Sequence, residues 1–292
     1  MRILIAGWHG QIARAIAHLA PSAPEISSLA LGRPAMDLCR PPSIRRALLE
    51  NNPDIVINTA AYTDVERAES EPEKVFELNR DGAEAFAELT AKSNIPIIHL
   101  STDHIFDGRK GRPYVEDDPP APLNIYGQSK LESERAVAAN PQHIVLRTAW
   151  VYSPFNRNFV KSMLKLAEVQ EEIEVVNDRW GSPTYAIHLA EIVLKIAIQI
   201  NKNKNQNCWG FYNAAGKGGT SWFEFAQKIF EFSEQLGGPT ARIKPVESSK
   251  FPRLAARPLD SRLDCTRLES EFGQQLPEWS EGVEACIRAL LR

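Results

Sequence analysis

Short apolar runs alternate with helical stretches from the first residues onward, and this rhythm constrains the fold more than any other feature of the chain. Arg2-Ile-Leu-Ile-Ala6 stops at Gly7, and Ser28-Leu-Ala-Leu31 stops at Gly32. Asp54-Ile-Val-Ile-Asn58, Ile95-Pro-Ile-Ile-His-Leu100 and His143-Ile-Val-Leu-Arg147 follow. Runs this short and this apolar suit strands buried on both faces. Helical patterns fill the intervals: Gln11 to Leu19, Pro42 to Glu50, about Glu73 to Ser93, and about Tyr126 to Ala139. Strand and helix in strict alternation predict right-handed βαβ units and a parallel sheet.

The second half is less regular. Asn156 to Glu168 reads as a helix and Glu174 to Val176 as a short strand. Asn201 to Asn207 reads as a polar surface loop, Trp209 to Ala214 as a strand, and Ser221 caps a helix from Trp222 to about Gln235. Pro252 to Arg262 has no periodicity, and a last helix runs from Glu281 to Leu291. The fold class expected is α/β: a Rossmann-like doubly wound parallel sheet with a smaller, sequence-interleaved C-terminal substrate lobe. The sheet domain would take 1–150 plus about 182–218. The lobe would take about 151–181 plus 219–292.

Charge narrows the function. The 292 residues hold 34 Lys+Arg against 37 Asp+Glu, a net −3. That balance argues against nucleic acid as a partner, yet allows a local basic pocket for a phosphorylated small molecule. Cys39, Cys208, Cys265 and Cys286 lie far apart, which rejects metal knuckles and disulfide scaffolds and favours a reducing compartment. The N-terminal MRILIAG lacks the long apolar stretch of a signal peptide. Ala186 to Ile200 is broken at helical spacing by His188, Glu191, Lys195 and Gln199, so it reads as an amphipathic helix and not a membrane span. A cytoplasmic protein with no membrane partner is expected.

Gly7-Trp-His-Gly10-Gln-Ile-Ala13 joins the first strand to the first helix. Glycines there permit a tight turn and close backbone approach to a pyrophosphate, and the helix N-terminus supplies free N–H groups. An acidic residue at the end of the second strand binds the ribose 2′-OH of NAD, whereas Arg accommodates a 2′-phosphate. The chain has Gly32-Arg33 at that point. Arg33 therefore favours NADPH, with NADH as the alternative. Asp37-Leu38 lies in the next loop, within reach of adenine. Ala61, Tyr62 and Thr63 follow a strand at the carboxyl edge of the sheet, where such sheets bind ligands.

Tyr126 and Lys130 stand at i and i+4, on one face of a helix. A free Tyr titrates near ~10 and a free Lys near ~10.4. A neighbouring ammonium lowers the phenol, which lets Tyr126 exchange a proton with a carbonyl or alcohol oxygen. Ser101-Thr102-Asp103-His104 ends another strand, and the Thr102 hydroxyl is the candidate for a hydrogen bond to the same oxygen. His104 is open between a substrate contact, an acid or base, and a structural loop residue.

Together these residues resemble the extended, sugar-nucleotide-modifying branch of the short-chain dehydrogenase/reductase superfamily. Within it, they resemble the dTDP-4-dehydrorhamnose reductase family. The marks are Gly7 to Gln11, Asp64-Val-Glu-Arg-Ala-Glu-Ser-Glu-Pro72, Ser101 to Gly108, Pro122 to Leu131, Arg147 to Tyr152, Gly181-Ser-Pro-Thr184 and Arg257 to Leu263. The resemblance implies reduction of the C4 ketone of dTDP-4-dehydro-β-L-rhamnose to dTDP-L-rhamnose with NAD(P)H. It implies Tyr126, Lys130 and Thr102 as catalytic residues. It implies cofactor contacts at Gly10, Gln11, Ile12, Asp37, Leu38, Ala61, Tyr62, Thr63 and Lys130. Substrate contacts would fall on Thr102, Asp103 and Trp150. Apart from the resemblance, Arg257 and Arg262 in the aperiodic C-terminal stretch are candidates to clamp the diphosphate. The chain departs from the family at His104, where an aromatic is usual, and at Ile12-Ala13. Some members form metal-linked dimers through an acid on the first helix; Ala15 stands there, so no metal is expected, and a homodimer is left open. The alternatives are a non-catalytic, NADP-binding regulatory subunit of the methionine adenosyltransferase type and another sugar-nucleotide epimerase-reductase.

Overall fold

Alternate side chains of the first strand leave the sheet in opposite directions, and both directions are buried. The computed structural model describes residues 1–203 and 207–291. One sheet holds β1 (Arg2–Ala6), β2 (Ser27–Leu31), β3 (Ile55–Asn58), β4 (Ile97–Thr102), β5 (His143–Thr148) and β6 (Gly210–Asn213). Their order is β6-β5-β4-β3-β1-β2, with every neighbouring pair parallel. The helices that matter to the site are α1 (Gln11–Leu19), α2 (Pro41–Asn51), α3 (Gly82–Lys92), α4 (Ile125–Val137) and α5 (Ala186–Lys202).

Ile3, Ile5 and Ile57 face α1 and α5, meeting Ile16, Val193 and Ile196. Leu4, Ala6 and Val56 face the other way, meeting Ile44 and Leu48 of α2 and Phe86 of α3. Each large aliphatic buried this fully contributes about 1.5–3 kcal/mol. Helices on both faces make the sheet doubly wound. The strand order reverses at β1, with β2 on one side and β3 on the other. Ligands of such sheets lie at the carboxyl ends of the strands flanking that reversal.

The expected helix from Glu73 to Ser93 is one helical body with a fault in it. Pro72–Phe76 is α-helical, Glu77–Asp81 is a π-turn, and α3 continues from Gly82. The widened turn carries Asn79 inward, where its amide donates to Ser129 Oγ at 2.9 Å and its Oδ1 accepts from Tyr62 N at 2.7 Å. One extra residue per turn does not disturb an apolar pattern enough to show in sequence.

The smaller lobe packs α6 (Trp222–Gln235), α7 (Trp279–Leu290) and the helix Phe159–Ala167 around Phe225, Ile229, Tyr152 and Val283. Asn158 caps Phe159–Ala167, so that helix starts later than the expected Asn156. Ser221 caps α6 as expected, in a reciprocal capping box with Glu224. α7 begins two residues before the expected Glu281. Glu172–Val176 pairs in parallel with Arg242–Val246, a strand hidden in sequence by Arg242, Lys244 and Pro245. α5 runs to Lys202, so the start of the expected loop 201–207 is helical; residues 204–206 lie outside the described residues. Among the described residues no helix is long and apolar enough to cross a membrane.

Candidate active site

The turn after β1 meets the end of β3 at the reversal of strand order. Gly7 holds φ +99°, and a Cβ on it would lie 2.8 Å from Thr59 Oγ1. Only glycine fits there without strain. Gly10 is the N-cap of α1, with no side-chain cap and no acid in the first turn. The first N–H groups of α1, at Gln11 and Ile12, are therefore left for an incoming ligand. A Cβ on Gly10 would meet nothing within 4 Å, so the backbone stands open to close approach. Ala13, fully buried, lets α1 sit against the sheet. The Gln11 side chain is committed elsewhere: Oε1 accepts from Ser153 Oγ at 2.7 Å and Asn158 Nδ2 at 3.0 Å, and Nε2 donates to Val151 O at 3.1 Å. Gln11 thus offers a ligand its main chain while tying the turn to the smaller lobe.

A cleft of about 550 Å³ is lined by Arg33, Asp37, Ala61, Tyr62 and Thr63, just past the ends of β2 and β3; no residue of the glycine turn is among its walls. Tyr126, Lys130 and Thr102 are not among its walls. Leu38 differs from its neighbours, since its side chain is buried in the core under the sheet. Only its main chain is left to meet a cofactor. The Tyr62 hydroxyl donates to Glu71 Oε2 at 2.9 Å. These residues fit an adenine dinucleotide: open backbone at the helix start for the pyrophosphate, and a polar cleft with cations for the adenosine end.

Thr102 closes β4, and its Oγ1 accepts from His104 N at 3.2 Å and donates to Asp103 Oδ1 at 3.1 Å. Asp103 Oδ2 accepts from Ser261 Oγ at 2.5 Å, which ties the strand end to the C-terminal segment. α4 touches this turn so closely that a Cβ on Gly127 would lie 2.3 Å from His104 O. That contact brings Tyr126 edge-on to His104, with ring centroids 5.5 Å apart. Burial pushes the Tyr126 phenol up to about 12, against the lowering expected from Lys130, which is not among the groups acting on it; a hydrogen bond with Thr102 pulls it back and the Asp103 charge adds to the rise.

His104 has a defined tautomer. Asn124 Oδ1 accepts from Gly127 N at 2.7 Å, which fixes the amide orientation. Asn124 Nδ2 then donates to Ala256 O at 2.7 Å and faces His104 Nδ1 at 3.1 Å. Nδ1 is the acceptor, so this network assigns the proton to Nε2. Burial lowers the ring's pKa and keeps it neutral.

Lys130 is buried, and two of its ammonium hydrogens are held by the fold: one by Leu100 O at 2.7 Å, one by His99 Nε2 at 3.0 Å. Burial lowers Lys130 to about 8, with the Glu134 charge opposing the fall. Burial and the Lys130 charge push His99 far below the usual histidine range, so its ring stays a neutral acceptor. Glu134 pairs with Arg147 at 2.8 Å and accepts from Ser101 Oγ at 2.5 Å.

Trp150 and Arg257 sit farther out. Trp150 takes φ +45°, rests on Gly181 and stacks on Trp222 with centroids 3.6 Å apart. It is half-buried: part of the ring packs in the core and part stays open. Arg257 Nη2 donates to Glu66 Oε1 at 2.8 Å, and its Nε is buried without a partner among the described residues. Arg179, a cation that sequence reading missed, donates to Arg257 O at 2.6 Å. Both guanidiniums act on His104, whose ring meets Tyr126, with the Arg257 charge partly offset by Glu66.

Comparison with known proteins agrees with this fold. A family model described as RmlD substrate binding domain matches residues 1–292. A dTDP-4-dehydrorhamnose reductase of Sinorhizobium fredii is 42% identical over 292 residues, covering 100% of this chain and 98% of that protein. The crystal structure of a dTDP-4-dehydrorhamnose reductase from Clostridium acetobutylicum superposes with a TM-score of 0.92 at 33% identity, covering 100% of both chains. That of the Bacillus anthracis reductase, in complex with NADP, gives 0.90 at 32% identity and covers 99% of both.

Proposed function

The chain belongs to the RmlD substrate-binding-domain family, and from that premise we propose that it reduces the C4 ketone of dTDP-4-dehydro-β-L-rhamnose to dTDP-L-rhamnose with NADPH. The observation that carries this reading is the Tyr126, Lys130 and Thr102 group at the carboxyl edge of a dinucleotide-type sheet. When bound, NADPH supplies the hydride. Tyr126 gives its proton to the carbonyl oxygen as that oxygen gains charge. A phenol raised to about 12 still carries its proton at neutral pH, as the reducing direction requires. The Lys130 ammonium favours the phenolate left behind. Thr102 holds Tyr126 and the substrate oxygen in register.

Cofactor binding falls to the main chain of Gly7, Gly10, Gln11, Ile12 and Leu38, and to Arg33, Asp37, Ala61, Tyr62, Thr63 and Lys130. Substrate binding falls to Thr102, Asp103, His104, Trp150 and Arg257. The division into 1–150 plus about 182–218 for the cofactor, and about 151–181 plus 219–292 for the sugar nucleotide, belongs to the same proposal. It is supported by β6 and α5 joining the sheet and its core. Four free cysteines suit a cytoplasmic, reducing setting.

Mixing the protein with NADPH and dTDP-4-dehydrorhamnose should oxidise one NADPH per dTDP-L-rhamnose formed. In D₂O no deuterium should enter at C3 or C5. Tight NADPH binding without turnover would instead fit the regulatory-subunit reading, and deuterium at those carbons would fit an epimerase-reductase.

The pH dependence has a definite sign. Lys130 is cationic below its pKa of about 8 and neutral above it. kcat/KM reports ionisations of the free enzyme. It should hold near neutrality and fall as pH rises through about 8. A profile flat to pH ~10, where an unperturbed Lys titrates, would remove Lys130 from the ionisations that matter.

A further inference from the structure

We propose that Trp8 selects the 2′-phosphate of the cofactor, by standing where a dinucleotide sheet otherwise keeps a carboxylate. The proposal rests on the NADPH reading above and deepens it. A carboxylate at the end of the second strand accepts from the ribose 2′-OH in enzymes that take the unphosphorylated cofactor. In this chain β2 ends at Leu31 and the next residue is Gly32. The space for a side chain at Gly32 is already taken. A Cβ there would lie 2.3 Å from Trp8 Cδ1 and 2.6 Å from Trp8 Nε1. The pyrrole edge of the indole therefore fills the space of a Cβ at residue 32, and no acid can enter there while Trp8 keeps its place.

That place is built. Gly7 N donates to Leu31 O at 2.8 Å, which joins the turn to the end of β2. The carbonyl of His9 accepts from the Asn156 amide, and the Trp8 and His9 rings lie 4.1 Å apart. Yet Trp8 is 50% exposed, and among the described residues its Nε1–H has no acceptor. Indole nitrogen donates and cannot accept. It offers nothing to the proton of a 2′-OH and a hydrogen bond to a phosphate oxygen. It also removes the negative charge that would repel that phosphate. Arg33, next in sequence to Gly32, lines the cleft along with Arg40; Trp8 itself is not among the cleft walls. Of the three carboxylates that line the cleft, Asp37, Asp64 and Glu77, Asp37 is turned to Cys39 N at 3.1 Å and to Arg40 at 3.9 Å, and Arg33, Arg40, Arg67 and Lys74 outnumber them. Donor, cations and missing acid all favour the same phosphate.

Calorimetric titration of the wild type and two variants with NADPH, NADH, 2′,5′-ADP and 5′-AMP tests this without turnover. Trp8→Phe keeps an aromatic ring beside Gly32 and removes the N–H together with part of the indole, a loss of contact that would weaken phosphorylated and unphosphorylated ligands alike. It should weaken NADPH and 2′,5′-ADP by about tenfold, the lower range for a hydrogen bond to a charged group. NADH and 5′-AMP should move by less than about twofold. Trp8→Ala combined with Gly32→Asp restores the carboxylate and should reverse the preference to NADH. Equal losses for phosphorylated and unphosphorylated ligands, or an unreversed preference in the double variant, would overturn the role of Trp8. A wild type that binds neither NADPH nor NADH would defeat the cofactor reading itself, which is a separate outcome.

Discussion

Tyr126→Phe is expected to lower kcat by about 10³-fold, while NADPH affinity stays within about twofold. A positioned general acid is worth ~10²–10⁴ in rate, and Tyr126 is the acid at this site. Phenylalanine keeps the ring that meets His104 edge-on at 5.5 Å and deletes only the hydroxyl. The turn after β1 and the adenosine cleft are built from other residues, so cofactor binding should survive. Single-turnover kinetics beside NADPH titration separates the two effects. A variant that keeps more than about a tenth of kcat would show that the proton comes from elsewhere. His104 Nε2–H would then be the donor to examine, since the Asn124 network assigns its proton to the free nitrogen.

The second large effect lies beneath the chemistry. Glu134→Gln should destabilise the protein by about 3–5 kcal/mol, the usual result of stranding one partner of a buried ion pair. The Glu134 and Arg147 side chains are 1% and 6% exposed. Arg147 Nε reaches Glu134 Oε1 at 3.1 Å and Nη2 reaches Oε2 at 2.8 Å. Without the carboxylate, Arg147 keeps Glu116 O at 2.9 Å and loses the counter-charge that offsets its desolvation. Urea unfolding at neutral pH measures the loss. Replacing both partners, as Glu134→Leu with Arg147→Met, should cost less than the single change, because no charge is then left alone. A single variant as stable as wild type would mean that water reaches the pair. Glu134 also props up the Lys130 pKa, so the single variant should move the alkaline fall of kcat/KM below pH 8.

Much of this was legible in the chain. The β1 run, the glycine turn and the Tyr126–Lys130 spacing are local patterns, and local patterns survive in sequence. Glu134 was legible too and was missed: Tyr126, Lys130 and Glu134 extend one i, i+4 stripe along α4 toward β4. His99 lay hidden because an apolar strand with one histidine still reads as an apolar strand. The links from Asn79 to Ser129, from Asn124 to Ala256 and from Ser261 to Asp103 were beyond reach, since each joins residues far apart in sequence and depends on packing. The same holds for Trp8 and Gly32. Each is ordinary alone, and only the approach of two turns makes the indole fill the glycine's space.

The position of β6 bears on how the protein is made. It pairs with β5 at the sheet edge, yet the whole segment from 149 to 209 separates them in sequence. While the ribosome is still translating that segment, the main chain of Ile144, Val145 and Leu146 presents an open edge, the kind of template that recruits other chains. α5, which covers Ile3, Ile5 and Ile57, emerges only slightly earlier. The nascent sheet must therefore wait, half-clad, until Asn213 appears. Parallel pairing across such a gap is slow and exposed to aggregation. A fragment cut after residue 150 would be left permanently in that state.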